Sequence, residues 1–319
     1  SKLNYYSLDT KLRLTYNFCE CSHKSNLDRT ETPMILQQTV AKEIQFSGQA
    51  IQNGKEVTMT VYPQPAGSGI IFSRSDLAGK PRVRAKAENV VSTKKSVTLG
   101  RDGWKIATIE HLMAVFHGLG IDNALVEVDG DELPSGDGSA LVFAEQILEA
   151  GITTQELPRK MIHIKEPLWV EGTVFSGELP LNAMLLALPS DHLEVSFVFT
   201  SDHPVTGNQF YNFKFSTERF LKEIAPARTI AFMREVEYLR SQGLARNTDL
   251  NIAVLVGDEG YENELRFPEE IVRHKILDIL GDLYLAGPIV AHLVAFRSGH
   301  TLDLEMAKKI TQLQNKQEG

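Results

Sequence analysis

An α+β fold built twice is what the order of elements along this chain predicts. Three observations carry that expectation: short alternating strands gather ahead of an apolar helix, both halves repeat that order, and each half sets a histidine near the start of its helix. From Gln37, "TVAKEIQFSG" and "EVTMTVYPQP" alternate apolar and polar residues, the period of a half-buried strand, and "QNGK" between them signals a hairpin. "SGIIFSRSDL" and "RVRAKAENVV" continue the strand-rich run. "ATIEHLMAVFHGLG" predicts a helix with Thr108 as N-cap and Gly118 or Gly120 at its end. "NALVEVDG" reads as a strand, and "DGSALVFAEQILEAG" as a helix entered at Asp137 or Ser139 and stopped at Gly151.

Beyond Pro158 the order recurs. "KMIHIKEPLWVEG", "AMLLALPS" and "LEVSFVFTS" read as strands, "STERFLKEI" and "MREVEYLRSQG" as helices, and "NIAVLVGD" as a strand. The apolar helix "VRHKILDILGDL" follows, then the strand "IVAHLVAFRSG" and a terminal helix "LDLEMAKKITQLQ". Superposing His111 on His274 aligns the apolar positions of "IEHLMAVFHGLG" and "VRHKILDILGDL", so the two histidine-bearing helices are expected to meet in the centre. The expected organisation is an extension over residues 1–36, poorly ordered and outside the chemistry, then α+β domains over 37–157 and 158–319.

Composition narrows the function. At 319 residues, 42% hydrophobic and 23% charged, the chain has the make-up of an ordinary globular protein of two domains. A net charge of -8 argues against general nucleic-acid binding and leaves room for a local basic pocket for one phosphorylated substrate. No apolar run reaches the roughly 18 to 20 residues that span a bilayer. The two cysteines, Cys19 and Cys21, exclude a disulfide scaffold and a cysteine-ligated zinc site, and a reducing compartment fits them. The first residues lack the apolar stretch of a secretory signal; a flexible extension is favoured over a degenerate organellar leader.

The chemistry gathers at "RHKILDILGDLYLAG". At about 100° per residue, His274, Asp278 and Asp282 climb one face of the helix, in a narrow polar wedge with Lys275 and Gly281. Val272, Ile276, Ile279, Leu280 and Leu283 cover the opposite face. A helix apolar around most of its circumference is buried, and buried carboxylates must be paired, ligating or protonated. Glu110-His111 and the His300 of "RSGH" pose the same demand. A catalytic zinc takes three protein ligands and keeps one open position. His274 and Asp278, one turn apart, suit two of those places, His111 suits the third, Glu110 suits a general base, and Asp282 suits a group that orients another histidine. Each has a plainer alternative: a surface His/Asp pair, a first-turn acid serving the helix dipole, a loop histidine, and a polar residue at a helix bend. His23, His117, His163, His192, His203 and His292 show no such spacing and read as structural.

At these residues the sequence resembles the UDP-3-O-acyl-N-acetylglucosamine deacetylases, zinc amidases of lipid A biosynthesis. The resemblance runs from about Gln37 to Lys309 through "QFSG", "GIIFSRSDL", "TIEHLMA", "GLGIDNALVEVDG", "DGSA", "ARTIAFMREVEYL", "VRHKILDILGDLYLAG" and "RSGH", in family order. It implies two α+β domains with helices packed between two sheets. It implies one zinc ion per chain on His111, His274 and Asp278, Glu110 as general base, His300 as a protonated histidine supported by Asp282, and Thr229 polarising the amide carbonyl. It places Lys275 and Ile230 at the substrate, an acylated UDP-amino sugar, and implies a cytoplasmic enzyme with at most transient contact with a membrane surface. An oligomeric state does not follow. Three departures stand out: Gln52 replaces a family histidine, "LPSGDGSA" replaces "IPIMDGSA", and Ser201 falls where an aromatic residue is usual. They leave open a related amidase for another N-acyl sugar, or a non-catalytic descendant.

Overall fold

In a computed structural model, which describes residues 34–176, 179–234, 236–237 and 252–318, the alternating segments form the expected strands. The first segment divides into Leu36–Val40 (β1) and Ile44–Gln49 (β2), and β2 pairs antiparallel with Glu56–Pro63 (β3) across the "QNGK" turn. Ile70–Arg74 (β4) and Arg82–Arg84 (β5) follow, then a three-stranded sheet of Val90–Ser92 (β6), Thr98–Arg101 (β7) and Trp104–Ile106 (β8). Helix α1 spans Glu110–Leu119, followed by Ala124–Val128 (β9), helix α2 over Leu141–Ala150 and Ile152–Pro158 (β10). The second half supplies Ile162–His163 (β11), Leu168–Ser176 (β12), Leu179–Leu188 (β13), Glu194–Phe199 (β14) and Gln209–Lys214 (β15). Next comes Thr217–Arg219 (α3), running into a π turn over Phe220–Ile224, then Thr229–Phe232 (β16) and Ala253–Val256 (β17). Glu270–Leu283 (α4), Ile289–Val290 (β18), His292–Phe296 (β19) and His300–Glu318 (α5) complete the chain. Residues 1–33, most of the expected extension, and 238–243, which hold most of "MREVEYLRSQG", lie outside the described residues.

The duplication is visible in the connectivity. One five-stranded sheet has the order β2-β3-β9-β4-β5 and the other β12-β13-β19-β14-β15. In both, the pairings read antiparallel, antiparallel, parallel, antiparallel. One apolar core then joins the halves. It takes Met59, Phe72 and Val126 from the first sheet, Leu112 and Phe116 from α1, Ile276 and Leu280 from α4, and Leu185, Val195 and Phe197 from the second. Helix α2 lies on β2, α4 on β14 and β15, and α5 on β12 and β13, while α1 packs against α4; the helices form the layer between the sheets.

One helix end differs from expectation. Thr108 does not cap α1: Ile109 occupies the cap position without a side-chain bond, and Thr108, at φ 60°, donates its hydroxyl to the Glu132 carboxylate at 3.2 Å. The same carboxylate accepts the amides of Gln52 and Asn53, so Thr108 serves a loop anchor instead of the helix. Gly120 does end α1, in the left-handed conformation that its missing Cβ permits. Ser139 enters α2 by accepting the Leu141 amide at 3.2 Å.

The contact that matters most is the crossing of α1 and α4. A Cβ on Gly281 would sit 2.1 Å from the Glu110 carbonyl oxygen and 3.1 Å from the Ala114 nitrogen, so only glycine lets the first turn of α1 seat on α4. A mid-helix glycine normally costs about 0.5–1 kcal/mol relative to alanine, so Gly281→Ala on propensity alone would stabilise. Here the obstacle is backbone, which cannot swing aside, and the substitution is expected to lower stability by about 1–3 kcal/mol. Gly260→Ala, where an added Cβ meets nothing within 4 Å, is expected to stay within about 0.5 kcal/mol, both measured by denaturant unfolding.

Candidate active site

The polar wedge of α4 is buried and partnered. His274, Asp278 and Asp282 have side chains 5%, 4% and 0% exposed, which excludes the surface-pair and helix-bend alternatives. Gly281 lies between the last two, so the start of α1 arrives beside them carrying Glu110 and His111, themselves buried.

His111 Nε2 lies 3.9 Å from Asp278 Oδ1, and His274 Nε2 lies 3.4 Å from the same oxygen. The two imidazoles meet edge to face, centroids 4.9 Å apart at 89°. One donor atom from each of the three residues lies within 4.8 Å of the others. Ligands at about 2.0–2.2 Å from a tetrahedral zinc are about 3.3–3.6 Å apart, so the trio is spaced to hold a divalent metal with little movement. The protonation states suit ligation as well. Burial, then the neighbouring His274, pushes His111 down to about 3, and burial likewise lowers His274, so both rings are neutral. His274 Nδ1 donates to the Ala227 carbonyl at 3.0 Å, leaving the Nε2 lone pair free for the metal. Burial works against the Asp278 charge, but Lys275, 2.6 Å away, holds the carboxyl well below the ordinary range.

Beside the trio stand an acid-base pair of opposite tendency. His300 opens α5, and its Nδ1 donates to Asp282 Oδ2 at 2.7 Å. Burial would discharge this imidazole, yet the charge and hydrogen bond of Asp282, with Asp278 and Glu110 behind them, carry the ring up to about 10, so His300 is a cation at neutral pH. Asp282 is itself pushed up by burial, with the His300 charge opposing; the two form a charged pair. Glu110, whose Oε2 accepts the Val97 amide at 3.0 Å, is raised to about 8 by burial, with His300 pulling it back. Glu110 Oε1 and His300 Nε2 are 4.0 Å apart, too far for a hydrogen bond, so both remain available to a third group. Metal donors, a base and a cation on one seam suit hydrolysis of a carbonyl substrate.

The remaining expectations fall nearby. Thr229 and Ile230 begin β16, two and three residues after the Ala227 carbonyl that holds His274. The Thr229 amide bonds the Gly138 carbonyl at 3.0 Å, and a Cβ on Gly138 would collide with the Ile252 carbonyl, so "DGSA" is a docking turn against this region. Lys275 is taken by Asp278. Gln52 donates to Ser96 Oγ at 2.7 Å and Thr108 Oγ1 at 3.2 Å, a structural use of that side chain. Ser201 accepts the His203 amide and closes a turn. His117 is structural as expected: its ring stacks on Tyr284 at 4.7 Å and bonds the Leu280 carbonyl. Sequence reasoning missed Arg228, Glu270 and Asp303. Glu270, fully buried, accepts from Arg228 N, Nε and Nη2 and from the Arg266 amide, locking the segment from Ala227 into β16 to α4. An acid opening a helix gave the only hint, and that signal is shared by most helices.

Similarity to known proteins agrees with this geometry. Residues 37–312 match the profile of the UDP-3-O-acyl N-acetylglycosamine deacetylase family. The chain is 42% identical over 280 residues to the UDP-3-O-acyl-N-acetylglucosamine deacetylase of Citrifermentans bemidjiense, covering 87% of this chain and 89% of that protein. It is 40% identical over 277 residues to the Myxococcus xanthus enzyme of the same name, covering 86% of each. With the Saccharophagus degradans enzyme it shares 41% over 285 residues, 86% of this chain and 91% of the relative.

Two measurements test the supports. Glu270→Ala leaves the Arg228 guanidinium without its buried counter-charge and is expected to cost about 3–5 kcal/mol in denaturant unfolding. Asp282→Asn removes the first of the anions that oppose burial at His300, so the ring loses its proton at lower pH; a downward shift of about one unit or more in its nitrogen NMR titration is expected.

Proposed function

Since the chain belongs to the UDP-3-O-acyl-N-acetylglucosamine deacetylase family, we propose that it hydrolyses the acetamide of UDP-3-O-acyl-N-acetylglucosamine at the seam of α1, α4 and α5, as a step of lipid A biosynthesis. The observation that carries the reading is the convergence of His111 from one half with His274 and Asp278 from the other, Glu110 and His300 at their side. The metal is Zn2+, one ion per chain: two neutral imidazoles and one carboxylate are a donor set that zinc favours. When bound there, zinc supplies Lewis acidity, polarising the amide carbonyl and making water more acidic.

The chain's own residues account for the proton movements. Glu110 takes the proton of the attacking water, which requires its anion; the His300 cation opposes the burial that raises it. His300, kept charged by Asp282, stabilises the negative charge that develops on the carbonyl oxygen, and Thr229 donates a hydrogen bond to that oxygen. The departing amine receives a proton from Glu110 or His300. Lys275 and Ile230 belong to the substrate side: Lys275 is a partly exposed cation beside His274, suited to a diphosphate, and Ile230 adds an apolar wall with Phe232 and Leu265. The halves divide near Pro158, and the enzyme works in the cytoplasm, touching a membrane surface only through its lipid-bearing substrate. No helix among the described residues is long and apolar enough to cross a membrane.

Replacing the base should separate metal binding from turnover. Glu110→Ala is expected to keep one zinc per chain and lose about 10²–10⁴-fold in kcat, whereas His111→Ala loses the zinc itself. Metal analysis with a deacetylation assay on the nucleotide-linked acyl glucosamine checks both. A Glu110→Ala enzyme near wild-type rate would refute the mechanism.

A further inference from the structure

Two buried carboxylate oxygens near His300 have no hydrogen-bond partner among the described residues: Oδ1 of Asp282 and Oδ2 of Asp303. Asp303 lies in the first turn of α5, three residues after His300, and is fully buried. Its Oδ1 accepts from Ser298 Oγ at 2.5 Å, and the second oxygen of Asp282 holds His300 at 2.7 Å. One carboxylate oxygen from each aspartate and a ring nitrogen of His300 all lie within 4.8 Å of one another.

Two carboxylates this close in a dry interior cannot both stay ionised without a cation between them. The neighbouring charges do not supply one. Lys275 is bound to Asp278, His300 to Asp282, and Glu110 lies on the far side of His300. Of these carboxylates Asp303 is the one with no ion-pair partner among the described residues. One proton on the Asp282–Asp303 pair removes the repulsion between the two carboxylates and gives both orphaned oxygens a partner in a single hydrogen bond. Asp303 is the better holder. Asp282 would forfeit its ion pair by taking the proton, while among the described residues the side chain that hydrogen-bonds Asp303 is the neutral Ser298 hydroxyl. The α5 dipole favours an anion in its first turn, but the terms against it are larger: burial, then the Asp282 charge, push Asp303 up to about 7.

We propose that Asp303 is a positioning residue: as a neutral carboxylic acid it donates its proton to Asp282 Oδ1 and so keeps the Asp282 charge aimed at His300. This rests on His300 serving as the site's cation, yet the state of Asp303 can be read without turnover. Infrared difference spectra of zinc-loaded wild type and D303N at about pH 6 should show the carbonyl band of a protonated carboxylic acid in wild type, missing in D303N. D303N can donate from Nδ2 to the same oxygen and is expected to lose no more than about threefold in kcat/KM, against about tenfold or more for D303L, which has no donor. Identical infrared spectra, or a D303N loss as large as that of D303L, overturn the proposal, as does a second zinc per chain that D303N abolishes. Should D303L fail to fold, the infrared band and the D303N rate still decide. A deacetylase that proves inactive on the acyl glucosamine leaves the infrared result standing, so the two readings fail separately.

Discussion

Burial of charge along one face of α4 is the constraint on which this structure turns. His274, Lys275, Asp278 and Asp282 share a helix whose other faces belong to the core, and none of the carboxylates can be left unpaired there. The surrounding architecture supplies partners from outside the helix: His111 from α1, His300 from α5 and the Ala227 carbonyl ahead of β16. Because those partners come from separate elements, correct packing of the helix layer and correct assembly of the site are one event.

The duplicated topology explains why two halves are needed. Each half builds a sheet with the same pairing order and adds an apolar helix. Neither helix alone offers three metal donors; α1 contributes one and α4 two. Gly281 then sets the distance. Its missing Cβ lets the Glu110 backbone contact α4, and a wider crossing would carry His111, the next residue, away from Asp278. Gly118 plays a similar part on α1, where the Phe220 ring fills the space a Cβ would need.

Much of this was legible in the chain. The paired strands β2 and β3, helices α1, α2, α4 and α5, and the residues of the metal trio are marked by periodicity, glycine stops and the i, i+4, i+8 ladder on an apolar helix. The strands β7, β8, β10, β15 and β16 are not marked in the sequence, since short edge and ribbon strands get their order from tertiary pairing. Thr108 deceived as a cap because the competing acceptor, Glu132, lies 24 residues away. Asp303 was invisible for the same reason: its burial against Asp282 and Ser298 depends on where α5 docks, which no local pattern records.

The placement of His300 finally shows which interaction must dominate at the site. Glu110 and His300 both stand in the first turns of their helices, where the dipole favours a negative group. For Glu110 this helps, adding to the Val97 amide in support of the anion a base requires. For His300 it hurts: the dipole opposes a cation by about 0.3–1 kcal/mol, and burial opposes it further. A histidine so placed would be neutral at pH 7 on local grounds. That it is instead carried up to about 10, against a burial that is the largest single influence, means the carboxylates around it, Asp282 first and then Asp278 and Glu110, together outweigh that burial. The positive charge of the site is therefore a property of α4 imposed on α5, and whatever keeps Asp282 anionic and aimed governs His300 as directly as any group His300 itself touches.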